Sequence, residues 1–332
     1  MNTIQHEPIS PEVLSAIRAA RRVALVGHVT PDADCLAVIG AMAHGLRAMG
    51  KQPAPSMPAG SVAEKLRFMV DIGGWQPASS AELAECDVAL VMDTAKDKRV
   101  NVDGKLEALP KAKIVNVDHH SSNTRFGDAL WIDGARSSSA EMVYELLKAL
   151  EVKITPQIAT LLYAGIHSDT GGFSLPNTTP RSLEVAAELS LAGADIVDTC
   201  EQLCRSQTPH LFNLLKVVYG NTRVSEDGRL SWSTANYNEI HDAGCVAEDI
   251  DDQVEIPRSI RGVTIAVLFS EGVKGKIRMN FRGDRGCSIL ELAQQFHGGG
   301  HSQAAGAILD GTIEQVVAKV IPAAQAYLNE RS

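Results

Sequence analysis

Polar and apolar positions follow two regimes along the chain. Up to about residue 200, short unbroken apolar runs alternate with longer stretches of helical periodicity. Val23-Ala-Leu-Val-Gly27, Asp87 to Met92 and Lys113 to Val117 are the runs, and consecutive apolar residues predict strands buried on both faces. A first helix is predicted over Pro11 to Ala20, with Ser10 as N-cap and Pro11 at N1. A second spans about Asp34 to Met49, where Leu36, Ile39, Met42, Ala43 and Leu46 recur on one face and Gly50 closes the end. A short strand, Ala129 to Ile132, precedes Ser137-Ser138-Ser139-Ala140-Glu141, read as the structural, serine-capped start of a helix reaching about Leu150. Thr155 to Ile166 and Pro180 to Leu191 complete the helices of this part. Strand–loop–helix units of this kind predict an α/β domain whose mostly parallel sheet is flanked by helices, with ligands beyond the strand carboxyl ends.

The pattern then changes. Cys200 to Gly220 reads as a helical linker. Alternating strands follow at Thr222 to Val224, Leu230 to Thr234, Gly262 to Phe269 and Lys276 to Phe281, then helices at Ser288 to Phe296 and Thr312 to Leu328. This predicts a smaller α+β domain with a mixed sheet. The expected division is 1–198, a linker over 199–220, and 221–332, with the active-site cleft between the two domains.

Length and charge narrow the choice. A chain of 332 residues exceeds one ordinary core. A net charge of −9 argues against a protein that coats long nucleic acid, yet leaves room for a small phosphorylated substrate held by cations and a few arginines. No apolar run approaches a membrane span, and the first residues lack a signal peptide's basic start and apolar core. Six cysteines lie scattered without metal or disulfide spacing. A cytoplasmic protein is expected.

The chemistry gathers just past the apolar runs. His28, Asp32 and Asp34 follow the first; Asp93 follows the second; Asp118-His119-His120 ends the third; Asp169 ends a helix. An ordinary loop with an Asp N-cap is the alternative for the first group, and an N-cap or turn role for Asp93, but three ligand-type residues within seven positions favour a site. Two adjacent histidines on an extended segment point apart, so one can bind metal while the other faces substrate or a supporting acid. Four acids in one cleft need counter-charge. Two divalent cations supply it, and the mixed imidazole and carboxylate set suits Mn²⁺, with Co²⁺ or Mg²⁺ as alternatives. A carboxylate bridging two such ions, with a bridging hydroxide attacking in line, is a route to phosphoester hydrolysis. Downstream, Arg278, Asn280 and Arg282 share one face of a strand. Gly298-Gly299-Gly300-His301 offers backbone N–H groups and an imidazole to an anion. A solvated strand face and a plain turn are the alternatives there. Phe173 offers either a stacking surface for a base or core packing.

His28-x-x-Pro31-Asp32-x-Asp34, Asp93, Asp118-His119-His120 and Ser168-Asp169-Thr170-Gly171 resemble the four motifs of the DHH phosphoesterase superfamily. Arg278-x-Asn280-x-Arg282 and Gly298-Gly299-Gly300-His301-x-x-Ala304-Ala305-Gly306 resemble its DHH-associated C-terminal domain. With the length, the whole is similar to the NrnA-type nanoRNases, bifunctional oligoribonucleases and 3′-phosphoadenosine-5′-phosphate phosphatases. The resemblance implies one metal on His28, Asp32 and Asp93 and a second on Asp34, Asp93, His119 and Asp169. It implies that His120 contacts the scissile phosphate, that Asp118 orients from behind, and that Arg282 clamps a terminal phosphate. It implies a short RNA of two to about four nucleotides, or a small nucleotide, as substrate; no long duplex and no membrane are expected, and a homodimer stays open. Cyclic di-AMP or its linear relatives pApA and pGpG form the alternative substrate class, and an inactive nucleotide sensor the alternative function. Two departures stand out: His297 occupies a position where the family commonly has glycine, and Ser168 stands where threonine is frequent.

Overall fold

Five strands form the first sheet: β1 (Arg22–Val26), β2 (Gln52–Pro55), β3 (Val88–Met92), β4 (Lys113–Asp118) and β5 (Ala129–Ile132). The structure is a computed structural model that describes residues 6–56, 62–205, 208–284, 286–300 and 302–331. The strands pair in the order β2-β1-β3-β4-β5, all parallel. Alternate residues serve two cores. Val23, Leu25, Leu90, Met92, Val115 and Val117 face one, while Ala24, Val26, Ala89 and Val91 face the other with Val100, Val102 and Leu109. That double burial is why these strands appear as unbroken apolar runs. Strand β2 has no such signature. It carries Pro53 and Pro55, which an edge position tolerates because one side needs no ladder donors.

The helices of this part are α1 (Pro11–Ala19), α2 (Ala33–Ala48), α3 (Arg67–Gly73), α4 (Ser80–Ala84), α5 (Ser139–Ala149), α6 (Pro156–Asp169), α7 (Pro180–Leu191) and α8 (Ile196–Arg205). Helix α6 closes at Asp169, so that acid stands at the helix's end as expected. The chain leaves β1 toward β2 on one side and returns as β3 on the other. Such a reversal leaves a crevice past the carboxyl ends of β1 and β3, where ligands of doubly wound sheets bind.

The second part has helices α9 (Pro209–Asn221), α10 (Tyr237–Asp242), α11 (Glu255–Arg258), α12 (Leu290–Gln294) and α13 (Ile313–Asn329). Its strands are β6 (Arg223–Val224), β7 (Leu230–Ala235), β8 (Ile265–Val273), β9 (Lys276–Gly283), β10 (Gly299–Gly300) and β11 (Ala304–Asp310), ordered β10-β11-β9-β8-β7-β6. Among the described residues only β7 and β8 pair in parallel, so the sheet is mixed as expected. Helix α12 is shorter than the predicted Ser288 to Phe296. The left-handed backbone at His297 (φ 59°) turns the chain away before Gly298.

Contacts divide the chain into two compact units at residues 206–207. Within the stretch expected as a linker, 199–220, the described residues fall largely in α8 and α9. Its second half carries core, because Leu214 and Val218 of α9 are fully buried with Ala266 and Leu268 of β8.

Candidate active site

Asp93 is the centre of the first unit's site. It follows β3 with φ 53°, a left-handed backbone that aspartate adopts more readily than most residues, and is 2% exposed. Its Oδ2 lies 3.5 Å from His28 Nε2, and its Oδ1 lies 3.7 Å from both His119 Nε2 and His120 Nδ1. His119 Nε2 is 3.2 Å from Asp169 Oδ2, and Asp32 Oδ1 is 3.7 Å from His28 Nε2. Asp34, His119 and Asp169 present donor atoms within 4.8 Å of one another, as do Asp93, His119 and His120. All of the expected metal-binding side chains are therefore neighbours.

Asp34 is held by a helix end. Its Oδ2 accepts the Ser139 N–H at 2.7 Å and its Oδ1 the Ala140 N–H at 2.9 Å. These are free amides at the start of α5, where the helix dipole favours negative charge. Gly165 of α6 must lack a side chain, since a Cβ there would lie 2.7 Å from Asp34 Oδ1. The Ser139 hydroxyl also donates to Asp93 Oδ1 at 3.1 Å. The serine run is therefore more than a structural cap: Ser138 caps α5, while Ser139 positions two of the site's acids.

The two adjacent histidines do not point apart. Alternation holds only while the chain stays extended, and β4 ends at Asp118. Both rings turn toward Asp93, with centroids 4.6 Å apart. Their charges differ nonetheless. Burial, then repulsion from His120, pushes His119 down to about 4, leaving a neutral ring with a lone pair to offer. Burial works against charge on His120 too, but the bond from its Nδ1–H to Asp118 Oδ1 (2.7 Å) and that carboxylate's charge push it up to about 9. Asp118 is itself fully buried and also accepts from Asn123 Nδ2 at 2.6 Å, a residue with no mark in the sequence.

The acids crowd one another. Burial and the charge of Asp32 raise Asp34 to about 7. Burial and neighbouring carboxylates push Asp93 and Asp169 well up. For Asp32 the cost of close protein atoms is outweighed by the hydrogen bond and charge of His28, and its pKa is lowered. Positive charge among these groups would let all of them ionise. The nitrogen and oxygen donors fit divalent cations, so the residues present suit a metal centre.

Phe173 sits at φ 65° just past α6, half-buried, its ring against Tyr163 and His167 at centroid distances of 6.3 and 6.2 Å. Packing against the core accounts for that contact.

In the second unit, Ile277, Met279 and Phe281 of β9 enter the core, and Arg278, Asn280 and Arg282 alternate with them on the opposite face. The three line a pocket of about 230 Å³ with Gly299, Gly300, Ala304, Ala305 and Gly306. Gly300 (φ 141°) admits no side chain, since a Cβ would meet Ala304 O at 2.5 Å. The Gly298 N–H is bonded to Ala293 O at 2.9 Å and is not free for an anion. His301 lies outside the described residues. Glu255, unmarked in the sequence, places Oε1 3.3 Å from Arg282 Nε and also pairs with Arg258.

Residues 22–166 match the DHH family, N-terminal domain, and residues 235–330 the DHHA1 domain. Over 320 residues the chain is 32% identical to the bifunctional oligoribonuclease and PAP phosphatase NrnA of Thermus thermophilus, covering 96% of this chain and 93% of that one. The chain belongs to the DHH phosphoesterase family. A second member, the protein of the same description from Bacillus subtilis, is 30% identical over 302 residues, covering 89% and 92% of the two chains. The DHH fold is shared with an exopolyphosphatase-related protein from Bacteroides fragilis (TM-score 0.82, 21% identity, covering 99% and 98%). It is also shared with RecJ of Thermus thermophilus in complex with Mn²⁺ (TM-score 0.59, 16% identity, covering 99% of this chain and 56% of that one). DHH enzymes depend on divalent metals, and no helix among the described residues of this member is long and apolar enough to cross a membrane.

Proposed function

We propose that this DHH-family hydrolase cuts RNAs of a few nucleotides to mononucleotides and removes the 3′-phosphate of 3′-phosphoadenosine 5′-phosphate, with Mn²⁺ as its metal. The observation that carries the reading is the Asp93 carboxylate, 3.5–3.7 Å from three imidazoles. Relatives at 30–32% identity over nearly the whole chain support the substrate class. His28, Asp32, Asp34, Asp93, His119 and Asp169 would hold two cations, with Asp93 shared, and imidazole donors favour Mn²⁺ over Mg²⁺. When bound, such ions supply Lewis acidity at the phosphoryl oxygens and a water acidic enough to ionise near neutral pH.

The remaining work falls to the chain. His120, held as an imidazolium by Asp118, donates from Nε2 to the phosphoryl group and stabilises charge as it develops there. The α5 amides and Ser139 fix Asp34 and Asp93, so the acids do not rearrange during the reaction. Arg282, Arg278 and Asn280, with the Gly299 and Gly300 backbone, receive a phosphate that is not cut. A pocket of about 230 Å³ is of a size to take the end of a nucleotide.

The test is hydrolysis with Mn²⁺ over an RNA length ladder, 3′-phosphoadenosine 5′-phosphate, pGpG and cyclic di-AMP. Rates should fall with RNA length, and Arg282→Ala should flatten that dependence. Preference for cyclic di-AMP would replace the substrate assignment. Absence of metal-dependent turnover on every substrate would leave a nucleotide sensor.

A further inference from the structure

Cys35 stands one residue past Asp34 in the first turn of α2 and is fully buried. Its setting is not plain hydrocarbon. His28, Cys35 and Asp93 each offer a donor atom, all within 4.8 Å of one another. The thiol reaches this place because residue 27 is glycine: a Cβ there would lie 2.2 Å from Cys35 Sγ. A second observation concerns His28. The residue is 8% exposed, its Nε2 faces Asp93, and its buried Nδ1 has no hydrogen-bond partner. A buried polar nitrogen left unpaired costs about 1–3 kcal/mol. The ring nitrogen turned to the acids is Nε2, 3.5 Å from Asp93 Oδ2 and 3.7 Å from Asp32 Oδ1.

We propose that Cys35 Sγ is an additional ligand at the cation position of His28 and Asp93, tilting that position toward thiophilic ions such as Zn²⁺ and Co²⁺. The inference rests on the metal-centre reading given above. Sulfur is soft, whereas carboxylate oxygen is hard and imidazole borderline, so a thiolate adds far more to Zn²⁺ or Co²⁺ affinity than to Mn²⁺ affinity. The sulfur–metal bond forms as the thiol proton passes to solvent. The other five cysteines belong to no such donor group among the described residues.

The experiment loads the full-length protein with Zn²⁺ for X-ray absorption and with Co²⁺ for optical spectroscopy, beside Cys35→Ala and Cys35→Ser. The wild type should show a sulfur shell about 2.3 Å from zinc and a sulfur-to-cobalt charge-transfer band in the near ultraviolet. Both signals should vanish in both variants. Zn²⁺ binding should weaken roughly tenfold, while Mn²⁺ binding weakens less. Retained Mn²⁺ binding marks a folded variant, and Cys35→Ser serves if Cys35→Ala does not fold. Zinc bound through nitrogen and oxygen alone, or a sulfur shell that survives in the variants, overturns the inference. Failure of the wild type to bind any of the three ions would instead overturn the metal-centre reading.

Discussion

Replacing Asp118 with asparagine tests whether His120 works as an imidazolium. The two groups lie 2.7 Å apart, and against the effect of burial this contact brings His120 up from 6.5 to about 9. With that value, about 97% of the ring is protonated near pH 7.5. At the ordinary value of 6.5, about 9% is. The variant should therefore lose roughly tenfold in kcat/KM near that pH. Asp93 and Asp34 also help to raise His120. Cations seated among those two carboxylates cancel their share, so the alkaline limb of the loaded enzyme falls below 9. The Asp118 share survives. Since the deprotonated ring is the inactive form, activity falls as pH rises through the folded value, and the variant's fall comes earlier. The substitution has a second effect. The carboxylate accepts from His120 on Oδ1 and from Asn123 on Oδ2, whereas an amide has one oxygen and an NH₂ that cannot accept, and the resulting disorder lowers the rate at every pH. Only the lost charge moves the limb. The assay is kcat/KM for a dinucleotide from about pH 6 to about pH 10. Alkaline limbs at the same pH in both proteins would refute the imidazolium role.

Three further outcomes follow from the same geometry. Asp34 is raised from 3.8 to about 7, so folded protein keeps a proton that the unfolded chain releases between those values. Metal-free protein should lose stability as pH rises through that window, and Mn²⁺ should flatten the slope; thermal melts with the same slope with and without chelator would exclude this. Ser139→Ala removes the hydroxyl bond to Asp93 but keeps the amide bond to Asp34. Calorimetric titration should show roughly tenfold weaker Mn²⁺ binding, and unchanged affinity would make Ser139 a bystander. His297→Gly relieves a left-handed backbone at φ 59° and should stabilise the second unit by up to about 1 kcal/mol in urea unfolding. A loss of stability would mean the imidazole makes contacts that outweigh its backbone strain.

What the sequence revealed depended on how many neighbours each residue serves. Leu90 and Val91 face two different cores from one strand, so β3 could not be polar at either position, and its apolar run pointed to Asp93 at its end. The same logic exposed His28 and Asp118. Strand β2 serves a sheet edge, tolerates two prolines, and left no pattern to find. Helix α9 did show periodicity, but Leu214 and Val218 repeat the same way whether a helix bridges two units or packs on one. The residues that decide the matter, Ala266 and Leu268, lie some fifty positions further on. Residues that hold the reacting groups from behind leave the least trace in the sequence. Asn123 holds Asp118 with a single N–H, and Ser139 reaches Asp34 through an amide that any residue but proline would supply. A motif shows which groups carry the chemistry, because their side chains cannot be exchanged. The groups that aim them need only be in the right place, and place is a property of the fold.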